Sequence, residues 1–132
     1  MRSTEYTVTF EPLTLRHFIK SFAKKYGKAW DMTLRIITEE FQRVDILFLK
    51  NTAETICVSD DNDIKICKTE FKIAGTQVSR HASGNRCIIA VHQSTSTVHV
   101  LLVYHKGDIG DNETAKWKSI IKENYSQYAG LL

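Results

Sequence analysis

The chain has 132 residues, 42% hydrophobic and 25% charged, a composition that fits one soluble globular domain with its own core. Lys and Arg number 18 against 15 Asp and Glu, and the net charge of +3 permits an anionic partner without requiring one. No apolar run approaches the length of a membrane span, and Met1–Tyr6 lacks the apolar core of a secretory signal. Cys57, Cys67 and Cys87 are odd in number and lack C-x-x-C spacing, so they read as small buried residues and not as a disulfide frame or zinc site. The expected location is the cytoplasm.

Tyr6 to Phe10 alternates apolar residues with threonine, which predicts a short strand. Pro12 and Thr14 then open a helix whose apolar positions are Leu15, Phe18, Ile19, Phe22, Ala23 and Tyr26, with Gly27 at its C-terminus. Trp30, Leu34, Ile37, Phe41, Val44 and Phe48, spaced by four and three, predict a second helix turned back on the first at Gly27-Lys28. The aromatic stripe of this hairpin reads as core, not as a platform for stacking bases.

Asp60-Asp61-Asn62-Asp63 marks an exposed turn; it lacks the glycine and the final glutamate of a calcium loop. Strands follow at Ile64–Ile73, Arg86–His92 and Val98–Tyr104, the last apolar on both faces and therefore interior. Asp111 or Asn112 caps a final helix from Glu113 to about Tyr128, with Trp117, Ile120 and Ile121 on its apolar face. There is no repeat, low-complexity tract or linker. The expected fold is a single α+β domain over 1–132. In it an N-terminal strand and a helical hairpin pack on a small, mainly antiparallel four-stranded sheet, followed by a C-terminal helix.

A tight loop around Thr95-Ser96 places Gln93 opposite Val98, and continuing that ladder sets Arg86 opposite His105 on one face. A bulge sets Lys106 there instead. Lys72 reaches the same sheet end from the preceding strand. Carboxylates are nearly absent from Phe71 to His105, so the cations repel one another unless an anion joins them, and phosphate is the natural one. His105 adds a group that exchanges a proton near neutral pH. The connection Gly75–Gly84, carrying Arg80 and His81, forms the rim. The alternative is that these residues are solvated strand ends. His92 and His99 also face each other, at the turn end. With no third ligand in view they read as a solvated polar pair and not as a metal site.

Three segments carry a family resemblance: Phe71-Lys72-Ile73, Gly84-Asn85-Arg86-Cys87-Ile88-Ile89, and Val100-Leu101-Leu102-Val103-Tyr104-His105-Lys106. Together with the element order they resemble the RelE/ParE superfamily of toxins from type II toxin–antitoxin modules, in its RelE-like branch. The resemblance implies a metal-independent, cofactor-free endoribonuclease (an mRNA interferase) that cuts mRNA at the ribosome, inhibits translation and is held by a cognate antitoxin. It implies Lys72, Arg86, His105 and Lys106 as the catalytic set, with Arg86 on the scissile phosphate; Lys68, together with Arg80 and His81 of the rim, supplies the expected RNA contacts. The sequence departs from the family in two places. Gly107-Asp108-Ile109-Gly110 stands where members often place a tyrosine, and the Gly75–Gly84 connection is long. The alternatives are a ParE-like or degenerate member that binds a protein such as gyrase, and a module that binds nucleic acid without cutting it.

Overall fold

The computed structural model describes residues 5–15 and 19–132. Its first strand, β1 (Thr7–Phe10), is followed by a single turn, α1 (Pro12–Thr14), with Pro12 in the first turn, where its missing N–H is not needed. Helices α2 (Lys20–Tyr26) and α3 (Lys28–Gln42) form the expected hairpin around Gly27, whose φ of 56° suits a residue without a Cβ. Phe18, expected on the first helix's apolar face, lies outside the described residues, as do Met1 to Thr4. The second helix is shorter than its stripe predicts. It breaks at Arg43 (φ −119°, ψ 44°) and resumes as α4 (Val44–Leu49). The break resets the helical phase, so Leu47 is buried beside Val44 while Phe48 is only half-buried.

The sheet has five strands, not four, in the order β1-β5-β4-β3-β2, and it is mixed because β1 runs parallel to β5. The additional strand is β2 (Ala53–Val58), an edge strand paired antiparallel with β3 (Ile64–Phe71). A bulge at Ile56 disturbs its alternation, and half its residues are exposed, so no period-2 pattern marks it in the sequence. The acidic turn lies between them as expected, with Asp61 accepting from Ser59 Oγ at 2.6 Å and from the Asp63 amide at 3.0 Å.

Past β3, a short helix α5 (Arg80–Ser83) leads into β4 (Asn85–His92), the central strand, and β5 (Thr97–His105) lies beside it. A turn, α6 (Lys106–Ile109), then precedes α7 (Glu113–Asn124) and α8 (Ser126–Ala129). Two cores result. Phe22, Trp30, Ile37, Phe41 and Val44 cover one sheet face with Cys67, Cys87, Ile89 and Val100. Trp117, Ile121, Tyr125 and Tyr128 cover the other with Ile66, Ile88, Leu101 and Leu102. Trp30 stacks on Phe22 at 4.8 Å in the first core and is 1% exposed, so Phe22, Trp30 and the buried Phe41 are core, while Tyr26 and Phe48 are half-buried at its margin.

The β4–β5 register differs from the expected one. The turn runs from Gln93 to Ser96, which pairs His92 with Thr97, and one extra residue, Leu101, bulges out of β5 between the Ile89–Val100 and Ile88–Leu102 pairs. The bulge lets Leu101 and Leu102, adjacent in sequence, both face α7 and α8. Its freed carbonyl accepts from Tyr125 Oη at 2.7 Å and from the Thr14 hydroxyl. The net result is that Arg86 stands opposite Tyr104, and His105 opposite Asn85. No helix among the described residues is long and apolar enough to cross a membrane.

Candidate functional site

Arg86 and His105 do not meet. Alternation along β4 puts Arg86 on the face covered by α7, together with its cross-strand neighbours Tyr104 on β5 and Glu70 on β3. His105, paired with Asn85, belongs to the opposite face. Neither Arg86 nor its surroundings form an uncompensated cationic cluster. The side chain is 8% exposed, Nη1 donates to Glu70 Oε2 at 2.8 Å, and Nε donates to Glu113 Oε2 at 3.2 Å. The same Glu113 oxygen accepts from Tyr104 Oη at 2.7 Å. Burial, followed by that hydrogen bond, pushes the Tyr104 phenol well above its ordinary range, so it stays a donor. The carboxylates that balance Arg86 lie just outside the stretch Phe71 to His105, one residue before it and eight after it.

His105 is committed to backbone. Its Nδ1 accepts from the Gly107 amide at 2.9 Å, capping α6, so Nε2 carries the proton that points to the Ser83 carbonyl at 3.1 Å. Two glycines wall the ring. A Cβ on Gly84 would stand 2.8 Å from Nε2, and one on Gly107 would stand 3.0 Å from Nδ1. Lys106 and Lys72 are exposed, and Lys106 runs its stem past Gly84. The four residues expected to be catalytic are therefore spread over both faces and the strand ends.

The three expected RNA contacts do converge. Lys68, Arg80 and His81 line one cleft of about 230 Å³, together with Glu54 and Glu70. The Ser79 hydroxyl caps α5 by accepting from the Ala82 amide at 3.1 Å, and Gly84 ends it at φ 76°. Ser83 Oγ lies 2.6 Å from the Phe71 carbonyl, which ties α5 to the end of β3. This sets His81 Nδ1 3.0 Å from Glu70 Oε2, the oxygen that also holds Arg86. The His81 side chain is 86% exposed and its Nε2 has no hydrogen-bond partner among the described residues. Arg80 pairs with Glu40 on α3, and Lys68 with Glu54 at 3.7 Å.

Glu70, Tyr104 and Glu113 complete the surroundings of Arg86, and no local sequence pattern marks them. The β3–β4 register, with Glu70 directly opposite Arg86, is the signal that would have found the first. The connection from Gly75 to Gly84 leaves that register open at the level of sequence.

At the turn end, His92 and His99 lie diagonally and not opposite, with ring centroids 4.7 Å apart. Neither is merely solvated. His92 Nε2 is 2.7 Å from Tyr128 Oη, and His99 Nδ1 is 2.8 Å from Glu11 Oε1. Among the described residues no group of three or more His, Cys, Asp or Glu is arranged to hold a metal. Cys57, Cys67 and Cys87 are free thiols, and burial pushes Cys67 up to about 12.

Comparison with family models, with curated proteins and with solved structures finds no match to this chain.

Proposed function

We propose that the chain is a RelE-like toxin, an endoribonuclease that cuts mRNA and inhibits translation, working at the Glu70–His81–Arg86 end of the sheet. One observation carries this reading: a single carboxylate oxygen, Glu70 Oε2, lies against His81 Nδ1 at 3.0 Å and Arg86 Nη1 at 2.8 Å. Glu70 so fixes the ring, and the exposed Nε2 is left for proton transfer. The family resemblance of the Phe71–Lys106 segments and the strand–hairpin–meander order support it.

The reaction is attack of a ribose 2′-OH on the adjacent phosphorus. The P–O2′ bond forms, the P–O5′ bond breaks, and the 2′ proton leaves as the 5′ oxygen gains one. His81 Nε2 is the group that moves a proton, in the place first expected of His105. Lys68 in the same cleft, with the exposed Lys72 and Lys106, offers the backbone point charges, while Arg80, paired with Glu40, borders the cleft. On this reading the partners are mRNA, the ribosome and a cognate antitoxin, and the place of action is the cytoplasm.

A second reading is favoured by the saturation of Arg86. A guanidinium already held by two carboxylates suits a ParE-like or degenerate member that acts by binding a protein. Incubating the purified chain with mRNA, with and without translating ribosomes, separates the two. Fragments ending in 2′,3′-cyclic phosphate support the ribonuclease. Growth inhibition by the chain without any cut RNA, unchanged in His81→Ala, supports the binder and ends the first reading.

A further inference from the structure

We infer that Glu113 of this chain is a removable plug, seated in the notch between Arg86 and Tyr104 where one phosphodiester oxygen would otherwise be held. The inference deepens the ribonuclease reading and rests on it for the identity of the ligand. Arg86 and Tyr104 are cross-strand partners on one face, so their donors converge. Both donate to the same atom, Glu113 Oε2, from Nε at 3.2 Å and from Oη at 2.7 Å. Two donors closing on one anionic oxygen is the arrangement that holds a phosphate oxygen.

Charge permits the exchange. A phosphodiester carries one negative charge, as Glu113 does, so substitution leaves the balance around Arg86 unchanged. Glu70 keeps Nη1 throughout and holds the guanidinium in place. The plug is also accessible, since the Glu113 side chain is 22% exposed against 8% for Arg86. Glu113 is the first residue of α7, and its lead-in carries the features of a hinge. Gly110 has φ +80°, and Asn112 has φ 60° and makes no side-chain cap. Movement of this one turn uncovers the notch and leaves Trp117 and Ile121 in the core.

Full-length Glu113→Ala and Glu113→Gln, titrated with inorganic phosphate and followed by amide chemical shifts, test this. The expected result is phosphate binding about tenfold or more tighter in Glu113→Ala than in the native chain, because the notch no longer has an internal competitor. Adding Tyr104→Phe should remove most of that gain. Glu113→Gln retains the side-chain volume and supplies the answer if the alanine variant does not fold, with a smaller gain in the same direction. A folded variant that binds phosphate no better than the native chain overturns the inference, as does a gain that survives Tyr104→Phe. Tighter phosphate binding without RNA cleavage keeps the notch and removes the ribonuclease. Cleavage without tighter phosphate binding does the reverse.

Discussion

Arg86 Nη1 lies 2.8 Å from Glu70 Oε2, and the arginine side chain is 8% exposed. Removing a buried partner leaves the other charge without compensation, which is the expensive way to break an ion pair. Glu70 and Glu113 keep 28% and 22% exposure, so water softens the loss. Arg86→Ala is expected to destabilise the fold by about 2–4 kcal/mol in urea denaturation. Adding Glu113→Gln should recover part of it, since one orphaned carboxylate is then neutral. A loss below about 0.5 kcal/mol means the pair contributes nothing to folding. Toxicity lost in Arg86→Ala therefore needs a stability measurement beside it before it speaks of phosphate binding.

The slot around His105 is a second place where small changes should be felt. Gly84 sits at φ +76°, and a Cβ there would stand 2.8 Å from His105 Nε2 and 3.2 Å from Lys106 Cγ. Gly84→Ala meets both the left-handed backbone penalty and a clash, so a loss of about 1–3 kcal/mol is expected. His105→Ala should lose about 1–2 kcal/mol through the α6 cap and the Ser83 contact. Thermal denaturation of the two variants checks this. Native-like midpoints in both would mean that His105 is not held as described.

The histidine pair predicts a pH dependence. Burial first, then the neighbouring His99, lowers the His92 pKa from its ordinary 6.5, against the opposing pull of Asp63 and Glu11. Tyr128 Oη completes its surroundings. The folded state thus resists a proton that the unfolded chain accepts. The stability is complete above about pH 6.5 and falls as the pH drops from there toward the lowered folded value, below which this contribution is flat. His92→Gln retains a polar partner for Tyr128 and removes the titration. The drop in melting temperature between pH 7 and pH 5 should be smaller in His92→Gln than in the native chain. Equal drops in both would show that His92 does not report on acid.

The features legible in the sequence were those carried by local pattern. Trp30, Ile37 and Phe41 mark a helix face, Gly27 marks its turn, and the two-sided apolar run of β5 marks an interior strand, while the break at Arg43 has no local signal. What escaped depended on non-local pairing. The edge strand β2 has a bulge and open residues in place of alternation. The β4–β5 register depends on where the turn closes: pairing His92 with Thr97 shifts the ladder by two residues from the expected one, the Leu101 bulge returns it by one, and Tyr104 stands opposite Arg86 in place of His105. The partners of Arg86 come from 16 residues before it and 27 after, beyond any spacing rule. Lys68, Arg80 and His81 line one cleft, but the pairing of His81 with Glu70 there has no sequence signal.

On the proposed reading His81, oriented by Glu70, moves the proton in RNA cleavage. The rate at which mRNA is cut by the native chain and by folded His81→Ala, under conditions where ribosomes are present, tests it most directly. Cleavage by the native chain and a fall of about a hundredfold in His81→Ala are expected. Cleavage at the native rate in His81→Ala, or none by the native chain under any condition, would rule out that role for His81.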